Sequence, residues 1–315
     1  MADRLEIRAL TEAEYGRHEP PADAAESWQE SWGFAWHDPI REAGGINHLS
    51  IWRRRGIADV WSWVALGGKV VGKYQCLHLK PPERDFPNWS LGGQTVTLEG
   101  PRACRLALEY ADAGAELRYE MSEDPFAFPV DAEGMTWGAS HYESIGRVTG
   151  TVTAGGEAVE VDGMAWQDHS WGPRRWADTL SHRWVMASFG PDLFISAIGA
   201  ITAAGPTPIP IGFVYDHGRL HRLHSVSFGA RVGDDGHSPE GCDARIVTAD
   251  GNGYHLTGEV HTSSPSSHTE GFWITDGLCR YEMGGRMGAG IFEVQELNGP
   301  PPWLRGAMGL DDPGA

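Results

Sequence analysis

Along most of the chain, apolar and polar residues alternate rather than recur every three or four positions, which is the mark of strands with one buried face. Ala58 to Leu66 (ADVWSWVAL) puts Trp61 and Trp63 on one face, and Gly67-Gly68 then turns the chain into Lys69 to Leu79. That arrangement predicts a hairpin. It recurs at Thr149 to Ala154 and Ala158 to Asp162 around Gly155-Gly156, at Ile209 to Tyr215 and Arg219 to Ser225 around Asp216-His217-Gly218, and at Ala244 to Ala249 and Tyr254 to Val260 around Asp250 to Gly253. Strands spaced about 8 to 12 residues apart predict an all-β protein of antiparallel barrels or sandwiches. Helical signals are confined to the start: Thr11 and Glu14 have the capping-box spacing, and Ala22 to Glu30 has helix-forming composition, predicting one or two short helices. No repeat of about 20 to 50 residues is present, which disfavours a solenoid or propeller. Ser263 to Ser267 (SSPSS) reads as a loop and Gly306 to Ala315 as a frayed tail.

The 315 residues suit two domains at about 150 residues each. Twelve of the fourteen tryptophans lie at or before Trp184, and we place the boundary near residue 160. The expected layout is an arm over 1–27, a β domain over 28–160, a second over 161–300, and a tail over 301–315. Glycine and proline together number 62, which implies many turns. The formal charge of −18 opposes nucleic acid and anionic membrane surfaces by Coulomb repulsion. The first twenty residues carry charges throughout and no apolar core, so no secretory signal is expected. The longest apolar stretches, such as Leu193 to Thr202, fall short of the roughly 18 to 20 residues of a membrane span, so no membrane insertion is expected. Four well-separated cysteines, Cys76, Cys104, Cys242 and Cys279, suit reduced thiols and a cytoplasmic location.

Gly67 to Lys73 (GGKVVGK) has the phosphate-loop spacing, but Tyr74 replaces the required Ser or Thr and no helix follows. Fingerprints of dinucleotide enzymes, zincins and α/β-hydrolases are missing from the sequence. His217, His221 and His224 surround a hairpin turn, a spacing that does not force convergence on a metal. The expectation is therefore a protein without cofactor or metal.

Chemistry concentrates in Gly163 to Trp176 (GMAWQDHSWGPRRW). On a strand, Trp166, Asp168 and Ser170 share one face and Gln167, His169 and Trp171 the other. Asp168 and His169 can thus enter one pocket only if Gly172-Pro173 bends the strand. One reading is a structural corner in which Arg174 or Arg175 holds Asp168 and His169. The other makes Asp168 a pocket acid between Trp166 and Trp171, with His169 and Arg174 as catalytic partners. Trp32, Phe34, Trp36 and Asp38 share a face and form either a pocket wall or a plug, with Asp38 capping the turn before Pro39. Trp61, Trp63 and Trp184 are either core or further substrate contacts. Glu293 is either a second acid or base or a carboxylate paired to Arg280 or Arg286.

Asp168 to Arg174 (DHSWGPR), Trp28 to Pro39 (WQESWGFAWHDP), Tyr281-Glu282 and Gly288 to Glu293 (GAGIFE) together resemble the AttH-like family over roughly residues 28 to 296. That family includes the carotenoid hydratases (hydroxyneurosporene synthases) and, more distantly, lipocalin-like cyclases and Diels-Alderases. The resemblance implies a cytoplasmic fold of two calycin or lipocalin-like β-barrel halves with an apolar ligand site in or between them. It also implies a cofactor-independent lyase or isomerase of hydratase or cyclase type. Physical chemistry reaches a compatible expectation: a desolvated carboxyl stays protonated near neutrality and can protonate an isoprenoid-like or polyketide-like alkene. Indole faces can stabilise the carbocation that forms. The rivals are a lipocalin-like carrier of a hydrophobic ligand without catalysis, and carbohydrate binding on exposed tryptophans.

Overall fold

A computed structural model describes residues 5–297 except 129, 131–134, 236–237 and 270. The expected tail at 306–315 lies outside the described residues. The first sheet holds β1 (Glu6–Ile7), β2 (Trp28–Asp38), β3 (Ala43–Trp52), β4 (Ile57–Leu66), β5 (Lys69–Leu79), β6 (Trp89–Leu91), β7 (Gln94–Gly100), β8 (Ala103–Glu109), β9 (Ala113–Met121), β10 (Phe126–Ala127), β11 (Ser140–Ala154) and β12 (Glu157–Pro173). Its order is β5-β4-β3-β2-β12-β11-β9-β8-β7-β6, with β1 and β10 attached beside β11. After a 3₁₀ turn at Trp176–Asp178, the second half holds β13 (Thr179–Ser188), β14 (Leu193–Thr202), β15 (Gly205–Asp216), β16 (Arg219–Val232), β17 (Pro239–Thr248), β18 (Gly253–Ser267), β19 (Phe272–Met283) and β20 (Arg286–Leu297). These eight strands pair in chain order and close into a barrel.

All four expected hairpins form, at β4–β5, β11–β12, β15–β16 and β17–β18. Gly67 and Gly68 take φ of +60° and +71°, the left-handed backbone that a two-residue hairpin demands and that glycine adopts without a Cβ clash. The all-β class stands, with the first half a strongly curled sheet and only the second a closed ring.

Three local expectations are corrected. The helix over Ala22 to Glu30 does not form; α1 is confined to Glu12–Tyr15, where the Thr11 N–H donates to Glu14 Oε2 at 2.9 Å. Glu30 instead lies within β2, whose backbone is fixed on both edges by β3 and β12, so sheet pairing overrides intrinsic propensity. The change of sheet falls after Pro173 rather than near residue 160, because β12 runs unbroken from Glu157 to Pro173 between β11 and β2. Ser263 to Ser267 is the end of strand β18 and not a loop. It pairs with β19, and Ser267 accepts a hydrogen bond from Gln75 Nε2 on its Oγ at 3.0 Å. Nearby, Thr269 Oγ1 donates to Asp59 Oδ1 at 2.7 Å, and Arg280 Nη2 donates to the Pro39 carbonyl at 2.9 Å. The two halves are tied together at these points.

Alternation sorts the side chains into three apolar layers. Trp32, Phe34, Trp36, Leu49, Leu106 and Tyr119 fill the inside of the curled sheet. Val185, Ile195, Val214, Leu256 and Phe292 fill the barrel. The third layer lies between the outer walls of the two, where Ala35, Ile46, Trp63 and Trp166 of the sheet meet Met186, Ile198, Ile274 and Ile291 of the barrel. Among the described residues no helix is long and apolar enough to cross a membrane.

Candidate active site

The middle layer encloses a cavity of about 120 Å³. Its sheet wall follows from strand register. Trp61 of β4 pairs with His48 of β3, His48 with Gly33 of β2, Gly33 with Asp168 of β12, and Asp168 with Glu143 of β11. One cross-strand row therefore delivers an indole, an imidazole and two carboxyl groups to the same face. The neighbouring row contributes Ser31, Ser170 and His141. Gly33 leaves room for the acid beside it: a Cβ there would lie 2.0 Å from Asp168 Oδ1. The barrel wall repeats the logic, as Ile198, Trp184, Glu293 and Asp276 form a row across β14, β13, β20 and β19. Trp61, Trp137, Trp166, Trp176 and Trp184 line the cavity with indole.

Burial dominates the electrostatics. Protein surrounds Asp168 on every side while part of its surface opens on the cavity. Desolvation pushes its carboxyl up to about 6, with the neighbouring Glu143 adding to the rise and His141 and Arg174 opposing it. Glu143 is pushed up further, to about 8, by burial, and the Ser196 hydroxyl draws it part of the way back. Its Oε1 sits 3.2 Å from His141 Nε2. Across the cavity, burial and mutual repulsion raise Asp276 well above the usual carboxylate range, and Glu293 is raised as well. This pair shares a proton, because two adjacent desolvated carboxylates cannot both ionise. Glu293 Oε1 lies 2.5 Å from His182 Nε2. Burial lowers the histidines, His141 to about 4 and both His48 and His182 to about 3, so these rings are neutral near neutrality.

The residues singled out from sequence separate cleanly. Asp168, Arg174, Trp61, Trp166, Trp184 and Glu293 converge on the cavity. Arg174 Nη2 donates to the Ser170 hydroxyl. Glu293 pairs with His182, not with Arg280 or Arg286, whose guanidinium groups reach Pro39, Glu42 and the Phe189 carbonyl. His169 points the other way, because Gly172-Pro173 does not bend β12 and alternation holds through Trp171. Its Nε2 lies 3.1 Å from Glu30 Oε1, on the side of the arm. Trp171 is also outside the cavity, stacked on His18 at 3.6 Å. Trp36 is buried inside the curled sheet. Asp38 caps a turn, with Oδ1 accepting from Ile40 N–H at 2.9 Å and Arg41 N–H at 3.1 Å. Trp63 shares the cavity face of β4 but packs in the apolar layer beside the opening.

Sequence reading missed Glu143, Asp276, His141, His182 and His48. Each sits alone in a strand with no motif around it, and only the pairing register brings them together. The one signal available was alternation, which puts His141 and Glu143 on a common face of HYES.

His18, Glu30 and His169 form the one cluster with metal-ligand proximity among the described residues, their ligand atoms lying within 4.8 Å of one another. Arg53 bonds Glu30 through Nη2 and reaches Asp85 Oδ2 through Nη1 at 2.5 Å. The guanidinium already supplies the positive charge a cation would bring, and Glu30, held down at about 2, is satisfied by it and by both imidazoles. This cluster therefore acts as a buried ionic clamp between arm and sheet. His217 and His221 pair with Asp216 and Asp250, at 2.5 and 2.7 Å.

A family model matches residues 11–298. The chain belongs to the DUF7064 family, described as a domain of unknown function. No curated protein matches this DUF7064 member in sequence. Among solved structures it is similar to an AttH candidate from Nitrosomonas europaea, with a TM-score of 0.69 at 16% identity over 93% of this chain and 98% of the other. Kievitone hydratase from Nectria haematococca matches with a TM-score of 0.61 at 12% identity, covering 90% of this chain and 94% of the hydratase. CghA matches with a TM-score of 0.58 at 12% identity, covering 86% of this chain and 89% of CghA. At these identities the likeness establishes an AttH-like fold for the DUF7064 chain, in agreement with the architecture expected from the DHSWGPR run.

Proposed function

We propose that this protein is a lyase or isomerase of hydratase or cyclase type that acts on a hydrophobic isoprenoid-like or polyketide-like molecule by general acid–base catalysis. The observation that carries the reading is the pair of buried carboxyl sets facing each other across an indole-lined cavity. Each wall supplies two: Glu143 and Asp168 from the sheet, Asp276 and Glu293 from the barrel. A carrier of neutral lipids has no use for four desolvated acids, each of which costs stability when it ionises. Tryptophans turned inward are likewise a poor platform for surface sugars.

Near neutrality the sheet-side proton sits on Glu143, while Asp168 is largely ionised. Glu143 delivers that proton to an alkene carbon, and the Asp168 carboxylate and the indole faces offset the charge that develops, at roughly 2 kcal/mol per well-placed desolvated ring. On the opposite wall Glu293, held by His182, takes a proton from the water that captures the cation, giving hydration. Removal of a proton from the cation gives isomerisation instead, and attack by an internal double bond gives cyclisation. The proton gained by Glu293 leaves to solvent and Glu143 is reprotonated from solvent, which closes the cycle with no net proton change. The acid step supplies about 10²- to 10⁴-fold in rate.

The fold of kievitone hydratase and CghA supports the reading, as both names belong to proteins of the same architecture. The test uses a panel of isoprenoid and polyketide alkenes incubated with the enzyme in deuterium oxide, with label followed by mass spectrometry. Incorporation that is lost in both Glu143→Gln and Asp168→Asn, while tryptophan quenching shows that ligand still binds, is expected. Ligand binding with no incorporation by the wild-type protein would replace the enzyme with a binding protein.

A further inference from the structure

The cavity contains more acceptor and acid than a neutral substrate can use. Four carboxyl groups line it against a single guanidinium, that of Arg174, and the three histidines on its walls are neutral. The acid–base cycle above uses Glu143, Asp168 and Glu293 and leaves Asp276 without a role of its own.

The hydrogen-bond inventory points in the same direction. Among the described residues no hydrogen bond of ordinary geometry reaches Glu143 Oε2 or Asp276 Oδ2, although these residues are only 1% and 2% exposed. His182, 4% exposed, sets Nε2 against Glu293 and, among the described residues, leaves Nδ1 without a partner. With its Nε2–H donating to the carboxylate, Nδ1 is an acceptor. These three atoms, one on the sheet wall and two on the barrel wall, belong to residues that line the same space, and the two carboxyl oxygens become acceptors once their groups ionise. The indole of Trp166 is the one orphan donor among the lining tryptophans. Buried polar atoms left unmatched by protein are costly, and a cationic ligand with N–H donors matches this set by drawing a carboxyl into its ionised, acceptor-only form.

We infer that the ligand of this cavity is a protonated amine on a compact apolar frame, its ammonium group held between Glu143 and the Asp276–Glu293 pair and its carbons against the indoles. This goes beyond the preceding proposal and rests on it only for the site, since such a ligand discharges Glu143 instead of taking its proton onto carbon. An ammonium donates three N–H bonds, neutralises a carboxylate and lies favourably on indole faces. Its arrival favours the ionised form of a carboxyl that is protonated in the free protein. The balance is one ammonium bound, one carboxyl O–H broken and one proton released to the buffer.

Cyclohexylammonium and cyclohexanol share a carbon frame and differ in this property, so they serve as probes. Isothermal titration of the full-length protein at neutral pH, in phosphate and in Tris, reads both affinity and proton release. The amine is expected to bind at least about tenfold more tightly than the alcohol, with release approaching about one proton per amine. Glu143→Gln should reduce amine affinity about tenfold and leave the alcohol unchanged. Equal affinity for the two probes, no binding of the amine, or a heat of binding that is the same in both buffers would each overturn the inference. Deuterium incorporation into a neutral alkene alongside any of those results sinks the amine and spares the acid–base reading. Amine binding with proton release but no incorporation into any alkene does the reverse.

Discussion

Glu143→Gln offers the sharpest test of the electrostatics, because glutamine keeps the shape of a protonated glutamate and cannot ionise. In the unfolded chain Glu143 loses its proton near 4.5, and in the folded protein it holds on to about 8. Between those values the unfolded state binds fewer protons than the folded one, so raising pH favours unfolding. The stability associated with the protonated carboxyl is whole below pH 4.5 and is lost progressively as pH rises to about 8. At 1.36 kcal/mol per pH unit the full loss comes to about 5 kcal/mol, and to about 2–4 kcal/mol once water enters around the new charge. Urea denaturation of both proteins at pH 5, about 6.5 and about 8.5 measures this directly. The variant should match wild type within about 1 kcal/mol at the acid end and exceed it by about 2–4 kcal/mol at the alkaline end. Asp276 and Glu293 act in the same sense, and the depressed histidines lose stability as pH falls below 6.5, contributions common to both proteins; Asp168, freed of the Glu143 charge in the variant, is raised less and adds to the variant's gain at alkaline pH. Two parallel stability curves would refute the burial of a protonated acid at this position.

Gly33→Ala should force the Asp168 carboxyl aside, since the new Cβ would lie 2.0 Å from Oδ1; a loss of about 1–3 kcal/mol in denaturation together with lost deuterium incorporation is expected, and unchanged incorporation would show the carboxyl position to be unimportant. Arg53→Met leaves Glu30 and Asp85 buried without their guanidinium and should destabilise by about 3–5 kcal/mol, with a drop below about 1 kcal/mol in urea melts counting against an ionic clamp. His169→Gln, on the far side of β12 from the cavity, should leave turnover within about twofold while loosening the arm, as limited proteolysis near His18 would report. Trp184→Phe removes an indole whose Nε1 donates to Ser196 Oγ at 3.0 Å; it should lower turnover about tenfold or more with little change in neutral-ligand affinity, and an equal loss in both would make Trp184 a simple packing residue.

How much of this was legible in the sequence depended on the range over which each determinant acts. Gly67-Gly68 and Gly155-Gly156 act within two residues, so their hairpins could be read directly. Alternation acts within a strand, and it correctly separated Asp168 from His169 on opposite faces of β12, although Gly172-Pro173 left open a bend that the structure lacks. Pairing between strands is not local. Glu30 reads as helical until β12 and β3 clamp it, and Ser263 to Ser267 reads as a loop until β19 and Gln75 hold it extended. Asp276 and Glu293 are side by side only because β19 and β20 pair in one register, and Glu143 reaches them only because two halves of the chain dock. The tryptophan count marked a composition shift but not the sheet boundary, since Trp166 and Trp171 sit on the last strand of the first sheet.

The cavity is a seam between two outer walls, not a bowl inside one barrel. In a bowl, strand number and tilt fix the width, and enlarging it means rebuilding the sheet. Along a seam the gap is set by side chains alone. Trimming Trp137, Ile198 or Ile274 would widen the chamber without disturbing a single strand-to-strand hydrogen bond, so one backbone can be refitted to substrates of very different bulk while its reagents stay where the register put them.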